Sequence, residues 1–386
     1  MAQGVRRALV FGNGRSGKAA AAVLRREGVE VTILDGAAAF PDGAFEVCVT
    51  SPGIALDHAW QQTARARGIP VVSELQLGAE KWRAAGGKML AVTGSKGKSS
   101  VVKLVAEALG GVPCGNYGLP LCEVVNQYVS PPLPWAVVEV SSFQMETTSL
   151  AADAFEAAAV LNLQEDHLDR HGSLAVYHGL KLKLLSMAKA GVTGSEAPLA
   201  PAEARLLAGS YFDNPVLAAN GRCAIALLRA AGLADEAIGA AFARFEALPH
   251  RMQRVGERGG VEWIDDSKAT SLAALGAGVA MCKKPVRLIA GGLGKGDNPF
   301  SLIPRLRLGV KKVYLIGSCA NQLSDAWRET VPCEVCGTLD RAVERARRDA
   351  VSGEVVLLSP GAASFDQFKS YGDRGDAFAA LVREGA

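Results

Sequence analysis

The apolar run Met89-Leu90-Ala91-Val92 gives way to Thr93-Gly94-Ser95-Lys96-Gly97-Lys98-Ser99-Ser100 and then to a stretch of helical periodicity. Glycines at this spacing let successive backbone N–H groups point at phosphate oxygens. Lys98 supplies positive charge to the β- and γ-phosphates, and the Ser99 or Ser100 hydroxyl can reach Mg²⁺ at the positive helix start. Val92 stands where the complete phosphate-loop string has its first glycine, so the match is a relaxed one.

Two further apolar runs end in polar clusters. Val137-Val138 leads to Glu139-Val140-Ser141-Ser142-Phe143-Gln144, and Leu161 opens Asn162-Leu163-Gln164-Glu165-Asp166-His167-Leu168-Asp169-Arg170. Glu139 and His167 could both lean toward a metal held by Ser99 or by phosphates; Mg²⁺ prefers oxygen, which makes the carboxylate the better ligand. A single acid at a strand end is ordinarily a solvated charge, but several on successive strand ends point to a site.

Near the start, Gly12-Asn13-Gly14-Arg15-Ser16-Gly17 precedes Asp35 at the spacing of a dinucleotide fingerprint. That pattern suits a nicotinamide cofactor and an oxidoreductase, the diphosphate of another nucleotide, or a plain glycine turn. Lys181, Lys183 and Lys189 follow Tyr177 on one expected helix and read as solvated lysines. Toward the end, Asp265-Asp266-Ser267-Lys268-Ala269-Thr270, Gly291-Gly292-Leu293-Gly294-Lys295 and Ser359 through Lys369 each close a strand with small residues and a lysine. Three lysines delivered this way suggest a pocket for carboxylate or phosphate groups.

The elements that must position these residues alternate in a βαβ rhythm. Strands are expected over residues 8–10, 31–34, 46–50 and 71–72, then 89–92, 136–140 and 157–161, and finally 262–264, 286–290, 313–316 and 355–358. Helices are expected over 18–27, 58–67, 271–281, 320–328 and 340–350. The fold class is therefore α/β, with domains expected at residues 1–88, 89–247 and 248–386. Residues 191–215, rich in Ala, Gly, Pro and Ser, show no clear strand and read as a surface connection between two helices.

Bulk composition agrees. The chain has 386 residues, 49% hydrophobic and 21% charged, enough for two or three globular domains. A net charge of +3 without a basic tract excludes polyanion binding by charge alone, so no nucleic acid partner is expected. No apolar run reaches the ~18 residues of a membrane helix, and the first residues lead into a strand, so the chain reads as cytoplasmic. Of eight scattered cysteines only Cys333 and Cys336 are close, and they read as reduced core residues.

Together these strings resemble the Mur ligases of peptidoglycan synthesis over residues 8–380, in particular the branch that adds glutamate to UDP-N-acetylmuramoyl-L-alanine. The most specific parts are Glu139 through Gln144, Glu165 through Arg170, Asp266 through Thr270 and Ser359 through Lys369. The resemblance implies a Rossmann-like UDP-binding domain, a central P-loop ATP-binding domain and a Rossmann-like glutamate-binding domain in a monomeric enzyme using ATP and Mg²⁺. It implies a phosphorylated alanyl carboxylate attacked by the glutamate amine. It also implies roles: Lys98 on the phosphates; Ser99 and Glu139 on one metal; His167 on a second; and Lys181, carbamylated, helping to bridge the two. Gly94, Ser95, Lys96, Gly97, Ser100, Asn220, Arg251 and Asp266 would serve ATP. Gly14, Arg15, Ser16, Asp35, Ser51, Gly53, Asn116 and Ser141 would hold the UDP substrate. Lys268, Thr270, Lys295, Ser364, Phe365 and Tyr371 would hold glutamate.

The chain departs from the family pattern at three places. Lys96 replaces the usual loop asparagine, Val216-Leu217 stands where a His-Asn pair is expected, and the stretch from Ala190 to Val216 is short. Alternatives consistent with the residues are a related ligase with another amino acid or acceptor, an NAD(P)-dependent oxidoreductase, and a non-catalytic UDP-sugar binder.

Overall fold

The structure, a computed structural model, describes residues 4–195 and 197–384. The chain folds into two compact units. One runs to Asp213 and takes in Ala218–Phe245; the other comprises Asn214–Leu217 and the chain from Glu246 onward.

The first unit contains two parallel sheets. Strands β1 (Arg7–Phe11), β2 (Glu30–Leu34), β3 (Val47–Thr50) and β4 (Val71–Ser73) pair in the order β2-β1-β3-β4. Strands β5 (Met89–Thr93), β6 (Val112–Gly115), β7 (Ala136–Glu139), β8 (Ala157–Val160) and β9 (Gly191–Thr193) pair in the order β6-β7-β5-β8-β9. The inner strands are continuous apolar runs with every residue buried in β5, β7 and β8, as a sheet covered on both faces requires.

Helices Arg15–Arg26, Glu74–Ala84 and Leu121–Gln127 pack together between the two sheets, and one core spans both, from Ala8 and Val10 through Leu77 and Trp82 to Ala91 and Val138. The approach is close because residue 78 is glycine. A Cβ there would lie 2.8 Å from Leu121 Cγ and 3.0 Å from the Cys122 nitrogen. Ser73 caps its helix by accepting from the Gln76 N–H at 2.9 Å.

The second unit holds a six-stranded sheet: β10 (Gln253–Arg258), β11 (Val261–Asp265), β12 (Val286–Gly291), β13 (Val310–Ile316), β14 (Cys333–Gly337) and β15 (Val355–Leu358), in the order β10-β11-β15-β12-β13-β14. All pairings are parallel except β10 with β11. Apolar clusters fill both faces, one around Leu275, Leu288 and Trp327, the other around Trp263, Tyr314 and Phe378. Cys333 and Cys336 lie on edge strand β14, and burial raises both thiols to about 11.

Two expectations need correction. The stretch 191–215 carries strand β9 and helix Pro201–Leu207; β9 is three residues long and lies at a sheet edge, so it leaves almost no apolar signature. Lys181, Lys183 and Lys189 do not share a helix. Helix Leu174–Leu182 ends after Lys181, Lys183 begins a 3-10 turn, and Lys189 lies beyond it, paired with Glu156.

Candidate active site

Strand order sets the site. In the second sheet β5 lies between β7 and β8, with Val92 in register with Glu139 and Thr93 with Val160. The phosphate loop, Glu139 and the 161–170 segment therefore leave three adjacent strands at their carboxyl ends, where open α/β sheets bind ligands.

The loop is shaped by its neighbours. Gly97 caps helix Lys98–Leu109 with a left-handed φ of 83°, and a Cβ there would lie 2.1 Å from Asn220 Nδ2. Asn162 clamps the loop tip: its Oδ1 accepts from the Lys96 N–H at 2.8 Å, and its Nδ2 donates to the Lys96 carbonyl at 2.9 Å and to Asn220 Oδ1 at 3.3 Å. Ser95 Oγ donates to the Gln164 carbonyl, accepts from the Gln164 N–H, and meets the Tyr177 hydroxyl at 3.2 Å.

Lys98 folds over the loop, its Nζ donating to the carbonyls of Gly94 at 2.9 Å and Ser95 at 3.1 Å. Lys181 reaches the same place. Its Nζ donates to Gly94 O at 3.0 Å and lies 4.5 Å from the centre of the Tyr177 ring. Lys181 is 2% exposed, and burial, reinforced by the charge of Lys98, brings its ammonium down to about 7. Lys183 instead bonds the Thr148 carbonyl, so position separates the lysines that sequence chemistry leaves equivalent. Lys96 turns its ammonium to Asp166, at 3.4 Å, while staying largely exposed.

Glu139 is 2% exposed. Its Oε1 accepts from Asn116 Nδ2 at 2.7 Å, and its Oε2 is buried with no hydrogen-bond partner. An orphaned carboxylate oxygen beside a phosphate loop fits a divalent cation. Among the described residues no three His, Cys, Asp or Glu side chains gather as a self-sufficient metal site. A cation here would complete its shell with hydroxyl, water and phosphate oxygens, the habit of Mg²⁺.

His167 starts the short helix Leu168–His171 with a left-handed φ of 51°. Its ring packs 4.8 Å from that of Phe143. The Ser-Ser-Phe-Gln string explains the placement. Ser141 and Gln144 form a capping box for helix Ser142–Met145, Ser142 Oγ bonds His171 Nε2 at 3.0 Å, and Glu146 grips Arg170 with two bonds of 3.0 and 2.6 Å. The Ser141 hydroxyl, a candidate for substrate contact, bonds within this cap, donating to Gln144 Oε1 and accepting from the Gln144 N–H.

The first glycine loop lies on the same side of this unit. Arg15 pairs with Glu123 at 2.9 Å and donates to the Gly118 carbonyl, while Arg170 donates to the Ile54 carbonyl beside Ser51-Pro52-Gly53. Ser51 Oγ is buried without a partner and faces Gly12 and Gly17. Gly14 caps helix Arg15–Arg26, where Ser16 is the second residue, and Asp35 follows β2, its Oδ1 accepting from the Gly36 N–H.

The second unit gathers its own candidates at the carboxyl ends of β11, β15 and β12. Asp266 accepts from Ser359 Oγ at 2.8 Å and from the Met252 N–H at 3.2 Å, and burial lifts its carboxyl to about 7. Arg251 follows His250, whose Nδ1 meets Asp265 Oδ2 at 2.7 Å. The Lys268 ammonium lies 3.9 Å from the centre of the Tyr371 ring. Ser364 is buried and starts a turn, its carbonyl accepting from the Gln367 and Phe368 N–H groups; Phe365 is exposed, as is Lys295 on the loop after β12. Thr270 lies between the Asp266 turn and helix Leu272–Met281. Asn162 and the buried Arg374 receive no role from the sequence: an asparagine in a polar string and an arginine in a helix carry no spacing signal.

Comparison with known proteins gives this arrangement its family. The Mur ligase middle domain matches residues 92–198, and the Mur ligase glutamate ligase domain matches residues 250–361. The UDP-N-acetylmuramoylalanine--D-glutamate ligase of Chlamydia abortus is 34% identical and covers 98% of both chains. The protein of the same name from Frankia casuarinae is 36% identical, covering 99% of this chain and 90% of its own. Among solved structures, the MurF ligase of Thermotoga maritima in complex with ADP has a TM-score of 0.58 at 14% identity, covering 100% of this chain and 97% of that one. A UDP-N-acetylmuramoyl-L-alanyl-D-glutamate--2,6-diaminopimelate ligase has 0.57 at 16%, covering 92% and 98%. At those identities the structural likeness shows the fold, and the near-full-length sequence relatives show the rest: the chain belongs to the Mur ligase family.

Proposed function

We propose that the protein is a cytoplasmic, ATP-dependent ligase that joins D-glutamate to UDP-N-acetylmuramoyl-L-alanine in peptidoglycan precursor synthesis. The observation that carries the proposal is the neighbourhood of Gly94, where the phosphate loop with Lys98 and an acid with an unpartnered oxygen leave adjacent strands and Lys181 reaches the Gly94 carbonyl from helix Leu174–Leu182. Relatives named for this activity span nearly the whole chain.

In the reaction an alanyl carboxylate oxygen attacks the γ-phosphorus of ATP, and ADP leaves. The glutamate amine then attacks the acyl carbon, and the tetrahedral intermediate expels phosphate as the amine loses its proton. No protein nucleophile is needed, so catalysis rests on position and charge. Lys98 would move from the loop carbonyls to the β- and γ-phosphates. Gly94 through Ser100 and Asn220 would cradle ATP, and the family resemblance assigns Arg251 and Asp266 to ATP as well. Mg²⁺ held by Ser99 and Glu139, and a second ion held by His167, with carbamylated Lys181 helping to bridge the two, would neutralise the transferring phosphoryl oxygens.

We assign the UDP substrate to residues 1–88, through Gly14, Arg15, Ser16, Asp35, Ser51 and Gly53, with Asn116 and Ser141 beside its sugar. ATP falls to residues 89–247. Glutamate falls to residues 248–386, through Lys268, Thr270, Lys295, Ser364, Phe365 and Tyr371. The test is phosphate release by purified protein with ATP, Mg²⁺, UDP-N-acetylmuramoyl-L-alanine and D-glutamate. Release is expected only when all four are present, and an amino-acid panel should single out D-glutamate. Release without the amino acid, or none at all from folded protein, sinks the proposal.

A further inference from the structure

Arg374 is 1% exposed in helix Tyr371–Glu384, yet among the described residues no carboxylate lies within hydrogen-bond reach of it. Its five donors go to oxygens of two loops instead. Nε donates to Ser267 Oγ at 2.9 Å, Nη2 to the Ser267 carbonyl at 2.9 Å and the Ala362 carbonyl at 3.2 Å, and Nη1 to the carbonyls of Ala362 at 3.2 Å and Ala363 at 3.3 Å. A side chain built at Gly292 would come within 3.2 Å of Nη1, so a third loop passes beside the guanidinium.

Each of these segments leads directly to a group assigned to glutamate: Ser267 to Lys268, Ala363 to Ser364, Gly292 to Lys295, and the helix itself begins with Tyr371. The nearest acids spend their oxygens elsewhere, Asp366 on the Ser318 N–H and Asp265 on His250 and the Ser267 N–H. Burial of a guanidinium is costly, and a planar fork with every donor used gives fixed geometry in return.

We propose that Arg374 is the positioning residue of the amino-acid pocket, fixing the loops after β11 and β15 against helix Tyr371–Glu384 so that the glutamate-binding side chains converge. The proposal rests on the assignment of glutamate to this unit. A lysine at 374 keeps the charge but offers three donors on a flexible stem, so at least two of the five bonds are lost.

The test is steady-state kinetics of the full chain with Arg374→Lys and with Ser267→Ala, which removes the Nε partner and leaves the guanidinium in place. Both should raise KM for D-glutamate, by about tenfold for the lysine variant and less for the alanine one, with KM for ATP and for the UDP substrate within about twofold of wild type. All three KM values rising together, or a loss of thermal stability with the glutamate KM unmoved, overturns the positioning role. Wild type is assayed first: if it shows no glutamate-dependent phosphate release, the ligase assignment fails, whereas an active wild type with insensitive variants counts against Arg374 alone.

Discussion

Lys98 and Lys181 donate to one carbonyl oxygen, that of Gly94, at 2.9 and 3.0 Å. Burial brings the Lys181 ammonium down to about 7, and the like charge of Lys98 at the shared acceptor adds to the fall. An unprotonated amine is what reacts with CO₂, so the free-amine fraction and the yield of carbamate should both climb as pH rises through about 7. A carbamate carbon signal from ¹³C-bicarbonate should appear in wild type and vanish in Lys181→Ala. Its presence in that variant would remove the assignment.

Replacing Lys98 by alanine acts on both groups. Turnover should fall at least about a hundredfold, since a positive charge on the transferring phosphoryl group is lost. Circular dichroism should be unchanged, because the side chain lies on the loop and outside the core. Lys181, freed of its like-charged neighbour, should titrate higher, moving the carbamate signal to higher pH. Retained turnover would take Lys98 out of the mechanism.

The sheets were legible in the sequence from the inside out. Buried inner strands such as β1, β5 and β15 are continuous apolar runs that announce themselves. The four strands not read, β6, β9, β10 and β14, are all sheet edges. β6 contains Pro113, which an edge tolerates, and β10 carries Arg254, Glu257 and Arg258, charges that keep an edge from pairing further. The site divides along similar lines. Lys98 and Glu139 stand in strings whose local order already suggests chemistry, whereas Asn162 and Arg374 act across 66 and 107 positions of chain on Lys96 and Ser267.

Asn162 holds the Lys96 backbone twice, accepting from its N–H and donating to its carbonyl. Asn162→Ala should therefore loosen the loop tip and raise KM for ATP about tenfold, with KM for glutamate unaffected. An isosteric Asn162→Asp keeps the acceptor and loses the donor, and should fall between the two. Equal KM values for ATP in all three proteins would show that the clamp does not shape the nucleotide site.

Glu74 offers a stability test away from the chemistry. It is 1% exposed, its Oε1 accepts from the Cys122 N–H at 2.6 Å, its Oε2 has no partner, and burial raises its carboxyl from 4.5 to about 7. A raised folded-state value means the folded protein binds the extra proton, so this group's contribution is complete below about 4.5 and is lost as pH climbs through about 7. Glu74→Gln should flatten that decline, lifting the urea midpoint at pH 8 relative to pH 5 when each is compared with wild type. Asp266, also raised to about 7, keeps a slope of the same sign in the variant. An unchanged difference between the two pH values would mean that Glu74 is ionised in the folded state.

Lys96 separates charge from architecture at the same loop. Its ammonium is 3.4 Å from Asp166 and mostly exposed, so the pair adds little to stability; Lys96→Asn should change the unfolding free energy by less than about 0.5 kcal/mol. The backbone at 96 is held by Asn162, independent of the side chain, so the loop keeps its shape. What the substitution removes is one positive charge within reach of a bound triphosphate. KM for ATP should rise severalfold at low salt and converge with wild type as ionic strength increases, because screening shortens the range of an exposed charge to about 8 Å at physiological salt. A ratio of the two KM values that stays constant from low to high salt would mean that Lys96 remains with Asp166 throughout the cycle and never engages the nucleotide.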